Sequence, residues 1–415
     1  MLPPMTLSRQ LKWTALSRTG FRFLFSYFLL FILSNQSGIS NLLRGLWDPL
    51  ILAFAKALFG AEISTEVLHT GSGDGLYNYA SVVFLLSLSL LSTLIWTTLD
   101  KRQAYDWLLQ VLIVLVRYYL VVQMALYGMA KVLHAQFPEP AFHRLLQPFG
   151  ESSPMGLLWT FMGYSYGYNL FTGIGELMGA ALLLFRPTTT LGALVTLGVM
   201  ANVMVLNFCY DVPVKLLSTH LVLFCLFLLA LDGPRLARLF VLNQPTAPAH
   251  APELFSGARY RNIKNILKRL AIIGGLALAA IVTTQFSNQP KPPMYGLYKV
   301  DTMVRNQDTL PPLITDGRRW QHIAIEFPGR AVIQTMPGHL RWFDLEVDTS
   351  AQRAVFSQGR FSDTLYYDRT GAVTWLFRGI VRGDTVSVQA TRWDKEQFLL
   401  MGRGFNWVNE SPFNR

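Results

Sequence analysis

Seven apolar runs, at 20–37, 78–98, 107–130, 157–185, 190–209, 214–231 and 270–286, constrain this chain more than any other feature. Each approaches or exceeds the roughly 18 to 20 apolar residues that cross a bilayer as a helix. A backbone inside lipid must satisfy its own hydrogen bonds, so such runs read as an all-α membrane bundle of about seven transmembrane helices. Half the chain is apolar and only 15% is charged, as a lipid-bilayer partner requires. The first run is short after Arg22, but no small-residue cleavage site follows it, and it reads as a retained span rather than a signal peptide.

Basic residues give the orientation. Arg9, Lys12, Arg18 and Arg22 precede the first run, Lys101 and Arg102 join the second to the third, and Arg186 follows the fourth. Arg235, Arg238, Arg259, Arg261, Lys264, Lys268 and Arg269 precede the last. With seven spans all of these fall on one side, which the positive-inside rule makes cytoplasmic. The N-terminus is then cytoplasmic, the C-terminus lies outside, and the expected location is the cell (inner) membrane. The net charge of +11 is largely explained by this asymmetry, so no nucleic-acid partner is implied.

The runs divide the chain into a helical domain at 1–231, a basic, proline-containing cytoplasmic linker at 232–269, a last span at 270–286 and an extracytoplasmic β domain at 290–415. Between the first two spans, residues 41–60 form an amphipathic pattern with too many charges to cross lipid, as an interfacial helix would. The GSGDG turn that follows reads as a helix-initiating loop with Asp74 near an N-cap, or as backbone N–H groups that could hold an anion. Cys209 and Cys225 are sixteen residues apart and lack C-x-x-C spacing, so both read as structural thiols.

After SNQPKPPMYG, alternating runs such as LYKVDTMV, WQHIAIEF, RAVIQTM and DTVSVQATRW are separated by turn signals such as TDG, MPG and RGD. Nine such runs, QFLLMGRGF the last, predict an antiparallel barrel or sandwich, lipocalin-like in outline. The terminal GFNWVNESPFNR is expected to cap one end of it, with ligand binding as the other reading.

Polar residues inside the membrane carry the chemistry. Glu176 lies ten residues before Arg186 and Arg117 ten after Trp107, so both are expected near mid-depth. An unpaired charge there costs at least about 2.5–3.5 kcal/mol, which favours Arg117 and Glu176 as partners. A protonated Glu176 bonded to a backbone carbonyl is the competing arrangement. Lys131 and Tyr127 at the end of the third span, Asn202, Asn207, Asp211 and Lys215 on or beside the fifth, and His220 in the sixth crowd the outer half. Together they predict a pocket open to the outside and floored by the Arg117 and Glu176 pair. The plainer readings are a snorkelling lysine, a helix-packing histidine and asparagines that bind neighbouring helices. No His or carboxylate pairs have metal-site spacing, and no metal is expected.

The stretches LYGMAKVL (126–133) and GIGELMGAALLLF (173–185) resemble the DoxX family of small membrane proteins over about residues 107–231. A further similarity is to the horizontally transferred transmembrane (HTTM) domain of vitamin K-dependent γ-glutamyl carboxylases, in which Lys131 occupies the place of a functional lysine. Both resemblances imply quinone as cofactor. DoxX-like proteins include subunits of thiosulfate:quinone oxidoreductase, and the carboxylase lysine acts as a base on a hydroquinone. By that analogy Lys131 would deprotonate a quinol, with Glu176 and Arg117 beside it and Tyr127, Asn202, Asn207, His220, Asp211 and Lys215 around the ligand. Neither relative implies the β domain, and no carboxylase-like substrate region is evident. The readings carried forward are a quinone-linked oxidoreductase component, a non-enzymatic anchor presenting the β domain to an envelope protein or lipid-like partner, and a proton-coupled transporter.

Overall fold

The structure is a computed structural model and describes residues 13–35, 37–60, 62–64, 73–246, 266, 274–275, 281 and 291–414. The expected last span and the basic stretch at 259–269 lie almost wholly outside the described residues. Two compact units emerge, one from residues 1–136 with 167–281, the other from 137–166 with 282–415.

The first unit is a helical bundle. Its helices are α1 (Ala15–Asn35), α2 (Ser37–Phe59), α3 (Leu76–Leu99), α4 (Asp106–Val132), α7 (Tyr166–Leu184), α8 (Thr189–Cys209), α9 (Lys215–Leu231) and α10 (Gly233–Phe240). Four of them, α1, α3, α4 and α8, are long and apolar enough to cross a membrane, and α9 with α10 makes a fifth if that pair, bent by 79°, counts as one span. The expected count of seven is not reached among the described residues. The apolar run 157–185 is not one helix: it breaks at Ser165 into α6 (Pro154–Tyr164) and α7, and α6 belongs to the other unit. The α7 segment contains Asn169 as well as Glu176, which dilutes its apolar character.

Leu90, Leu91, Leu94, Ile95 and Leu99 of α3 are exposed, a row of large aliphatic side chains that suits lipid and not water. Inside, Phe28, Phe31, Leu112, Val116, Leu120, Met124 and Phe224 form the core. The amphipathic segment is α2, which packs Ile51 and Ala55 against Ala80 and accepts the Tyr77 hydroxyl on Asp48 at 2.5 Å. Asp74 does not cap the helix that follows it. Its carboxylate accepts the backbone N–H groups of Lys215 and Leu216 at 2.7 and 3.0 Å, so it caps the start of α9, far away in sequence. Cys225 is buried as expected, whereas Cys209 is exposed.

The second unit is a closed antiparallel barrel. Its strands are β1 (Gly296–Arg305), β2 (Asp308–Thr309), β3 (Trp320–Phe327), β4 (Arg330–Thr335), β5 (Leu340–Asp348), β6 (Arg353–Gln358), β7 (Phe361–Arg369), β8 (Thr374–Val381) and β9 (Asp384–Trp393). Neighbours pair in chain order from β3 to β9, and β1 pairs with both β3 and β9, which closes eight strands and leaves the two-residue β2 outside the ring. A lone edge would invite pairing with other chains, and closure removes it. A bulge between Val300 and Thr302 accompanies the closing β1–β9 register. On β8 only glycine fits at 379, because a Cβ there would collide with the Thr364 carbonyl of β7.

Alternation sends Tyr298, Ile323, Ile333, Phe356, Leu365, Phe377 and Val388 into the barrel. One end is filled by aromatic rings: Tyr298 lies 5.4 Å from Trp375 and 5.7 Å from Phe377, centroid to centroid. The C-terminal tail plays no such part. Phe405, Trp407 and Val408 are exposed, and QFLLMGRGF, which begins at the end of a 3-10 turn (Lys395–Gln397), forms a four-residue helix (Leu399–Gly402) in place of the expected strand. Its consecutive Leu399, Leu400 and Met401 lack the alternation that a half-buried strand needs.

The segment between α4 and α7 folds as part of this barrel unit. Its short helix α5 (Phe142–Leu146) lays Phe142 and Leu146 on an outer patch formed by Leu297, Ala324 and Val332. Glu326 of β3 accepts the backbone N–H groups of both Phe142 and His143, the latter at 3.1 Å, and also contacts His143 Nδ1 at 3.1 Å. Gln334 of β4 donates to the Leu146 carbonyl at 3.0 Å. Both ends of α5 are therefore capped by barrel side chains, and Lys395 pairs with Glu139 at 2.9 Å beside them.

Removing Glu326 leaves two partly buried backbone donors without their carboxylate, each worth up to about 1–3 kcal/mol. Glu326→Ala is expected to leave the barrel closed but to speed limited proteolysis between residues 137 and 166 at least several-fold. Asp74→Ala is expected to cost about 1 kcal/mol through the lost cap on α9, measured by thermal unfolding in detergent.

Candidate functional site

Two glycines set the geometry around Glu176. A Cβ on Gly128 of α4 would lie 3.0 Å from the Gly173 carbonyl and 2.9 Å from Leu177 Cγ, and one on Gly173 of α7 would lie 2.9 Å from the Gly128 carbonyl. The two backbones thus touch at a point where no larger residue fits, as small residues permit between membrane helices. Lys131 stands three residues beyond Gly128 and Glu176 three beyond Gly173, each on its glycine's face of an antiparallel helix pair, so the two long side chains lean back toward each other across the crossing.

They meet there. Lys131 Nζ donates to Glu176 Oε1 at 2.5 Å, and both side chains are almost wholly buried, 6% and 2% exposed. Tyr127 lies beside the pair, its ring centroid 6.0 Å from the ammonium. The second carboxylate oxygen, Glu176 Oε2, has no hydrogen-bond partner among the described residues. Two opposite charges at this distance offset much of the desolvation that each would meet alone.

The expected pairing of Glu176 with Arg117 is therefore corrected. Arg117 is buried but donates to Thr189 Oγ1 at 3.4 Å, and its guanidinium lies 5.1 Å from the ring centroid of Tyr118. That expectation takes Trp107 and Arg186 as lying level. The glycine crossing sets another register, in which fourteen residues back from Lys131 along α4 correspond to thirteen forward from Glu176, at Thr189. Arg117 is thus about 20 Å along α4 from the lysine.

The remaining expected pocket residues do not gather around this pair. Asn202 is exposed on the outside of α8. Asn207 is buried and donates to Ser218 Oγ at 3.1 Å, tying α8 to α9. His220 is fully satisfied: Nδ1 donates to the Leu216 carbonyl at 2.6 Å, Nε2 accepts the Tyr27 hydroxyl at 2.6 Å, and the ring stacks on Phe31 at 3.8 Å. Asp211 is exposed, with a left-handed φ of 51°, and pairs with Lys215 at 2.8 Å. Among the described residues no three His, Cys, Asp or Glu side chains converge so as to hold a metal ion.

Sequence reasoning missed Arg22. It counted as one more cytoplasmic charge, yet it is buried and holds the α1, α3 and α4 ends together. Its Nε and Nη2 donate to the Tyr105 hydroxyl at 2.9 and 2.6 Å, Nη1 to Thr97 Oγ1 at 2.9 Å, and Nη2 also to the Asp100 carbonyl at 2.9 Å. The signal available was its place inside the apolar helix, among Phe21, Phe23 and Phe25. The helical bundle and the closed barrel together make this a multi-pass membrane protein with a distinct C-terminal β domain.

No family model matches the chain, and no solved structure does. The uncharacterised protein YwoB of Bacillus subtilis (strain 168) is 37% identical over 127 residues, which cover 30% of this chain and 79% of that protein. Nothing in that name assigns an activity. The identity and the share of YwoB that is covered place this chain, through that 127-residue region, in the same family as YwoB.

Proposed function

We propose that this protein is a non-enzymatic membrane anchor that presents its β-barrel outside the cytoplasm as a binding module. The observation that carries the reading is the incorporation of residues 137–166 into the barrel unit, fixed by Glu326 and Gln334 at the two ends of α5. The bundle thereby contributes an inter-helix segment to the barrel's own surface, which a simple tether would not do.

Charge supports the sidedness. Arg18 donates to Gln103 and to the Arg102 carbonyl, and Thr190 donates to Asp232 at 2.6 Å, so α1 starts beside the α3–α4 connection and α8 starts where α9 ends. Arg18, Lys101, Arg102, Arg186, Arg235 and Arg238 all lie in or near these connections, at helix ends or in the short α10. The chain leaves α4 for residues 137–166 at the other end of that helix. By the positive-inside rule the basic turns are cytoplasmic and the barrel is not.

A second reading keeps the quinone-linked oxidoreductase component, and the unpartnered Glu176 Oε2 beside Lys131 and Tyr127 favours it. An ammonium, a phenol and a carboxylate oxygen are donors and acceptors suited in kind to a quinol. Such a group, when bound, supplies two-electron redox chemistry. Lys131 would hold or release a proton at Nζ, and Glu176 would set how readily it does so. The scatter of Asn202, Asp211 and His220 weighs against this reading, because those groups were to complete the pocket. The proton-coupled transporter loses its supposed Arg117 and Glu176 centre.

The two readings separate in right-side-out membrane vesicles. A single cysteine at Arg360, in a turn of the barrel, with Cys209 and Cys225 replaced by Ser and Ala, is expected to react with an impermeant maleimide without permeabilisation. Reaction only after lysis would overturn the anchor reading. In the same vesicles no quinol-dependent electron transfer is expected. Transfer that Lys131→Met lowers by more than tenfold would establish the redox reading in its place.

A further inference from the structure

The barrel is filled unevenly. While Tyr298, Trp375 and Phe377 close one end, the opposite end contains a cavity of about 320 Å³. Inward-facing Ile333, Phe343, Phe356 and Leu365 form its walls, with Trp320 and Val381 toward the mouth. The volume is at the small end of ligand pockets, and it equals roughly ten groups the size of a water molecule at about 30 Å³ each.

Four arginines stand at the mouth: Arg305, Arg318, Arg341 and Arg382. Two are already neutralised, Arg305 by Asp384 at 2.6 Å and Arg318 by Asp316 at 3.3 Å. Arg382 donates to Gln358 Oε1 at 3.2 Å, with its guanidinium 4.9 Å from the Phe361 ring centroid. The one carboxylate in the lining, Asp363, accepts the Arg382 backbone N–H at 2.8 Å. The Arg341 side chain has no hydrogen bond or ion pair among the described residues. It occupies the first inward position of β5, two residues before Phe343, so its guanidinium belongs to the inner face at the rim of an apolar hole.

An apolar cavity beneath a guanidinium that lacks a protein partner matches a molecule with an apolar body and an anionic head. We infer that the barrel binds a single-chain carboxylate amphiphile of about ten carbons, with the chain among Phe343, Phe356 and Leu365 and the carboxylate on Arg341. The guanidinium fork suits a carboxylate by two parallel hydrogen bonds, and Arg382 adds positive potential. The cavity is too small for a lipid with two chains. This inference rests on the reading of the barrel as a binding module and names its ligand class.

The test is equilibrium dialysis of radiolabelled decanoate against the full-length protein in nanodiscs, with lipid partition subtracted using empty discs. Saturable binding of one decanoate per barrel is expected, at least tenfold tighter than binding of decanol, and weakened roughly tenfold by Arg341→Gln. Arg341 is exposed and outside every core cluster, so this variant is expected to fold. Binding equal for decanol and decanoate, binding unchanged in Arg341→Gln, or partition alone would each overturn the inference. Barrel sidedness is read separately by maleimide labelling, so failure here leaves the anchor reading standing.

Discussion

The contact of Lys131 with Glu176 is the constraint around which the helical unit is arranged. A carboxylate in an apolar helix needs a partner, and a partner can reach it only if the two backbones come close. Gly128 and Gly173 supply that approach, and each has its charged residue three positions further along its own helix. Small residues and ions are thus one device: the glycines position the pair, and the pair holds α4 and α7 in one register, since sliding by a turn would separate the charges.

Much of this was legible before any coordinates. The apolar runs gave the bundle, the period-two runs gave eight barrel strands, all but β7 close to their observed limits, and the acid at 176 was recognised as needing a cation. The partner was not legible, because choosing between Arg117 and Lys131 depends on how far α4 slides along α7. No single helix encodes that offset. It was written in GxxK and GxxE, where glycine marks the crossing and the charged residue follows three positions later. Arg22 was lost for a related reason: a charge count cannot tell a solvated arginine from one whose hydrogen bonds to three protein oxygens replace water.

The break at Ser165 was hidden by hydropathy. Residues 157–185 read as one mostly apolar run, yet their two halves belong to different units. Ser153 marks the start of α6 locally, since its Oγ accepts the Gly156 N–H at 3.0 Å with Pro154 in the first turn. What the segment docks on could not be read, since Glu326 and Gln334 lie far along the chain. The barrel combines the same two themes, with apolar alternation to close it and polar side chains spent where backbone groups would otherwise go unmet.

The pairing is tested most directly by a double-mutant cycle on unfolding free energy, with Lys131→Met, Glu176→Gln and the two together, and Arg117→Met as the comparison partner for Glu176→Gln. Each single change at 131 or 176 should cost about 3–5 kcal/mol by leaving a buried charge alone, and the double should recover much of that. The Arg117 cycle should be additive. Additivity of Lys131 with Glu176 within about 0.5 kcal/mol, or strong coupling of Glu176 to Arg117 in its place, would contradict the account.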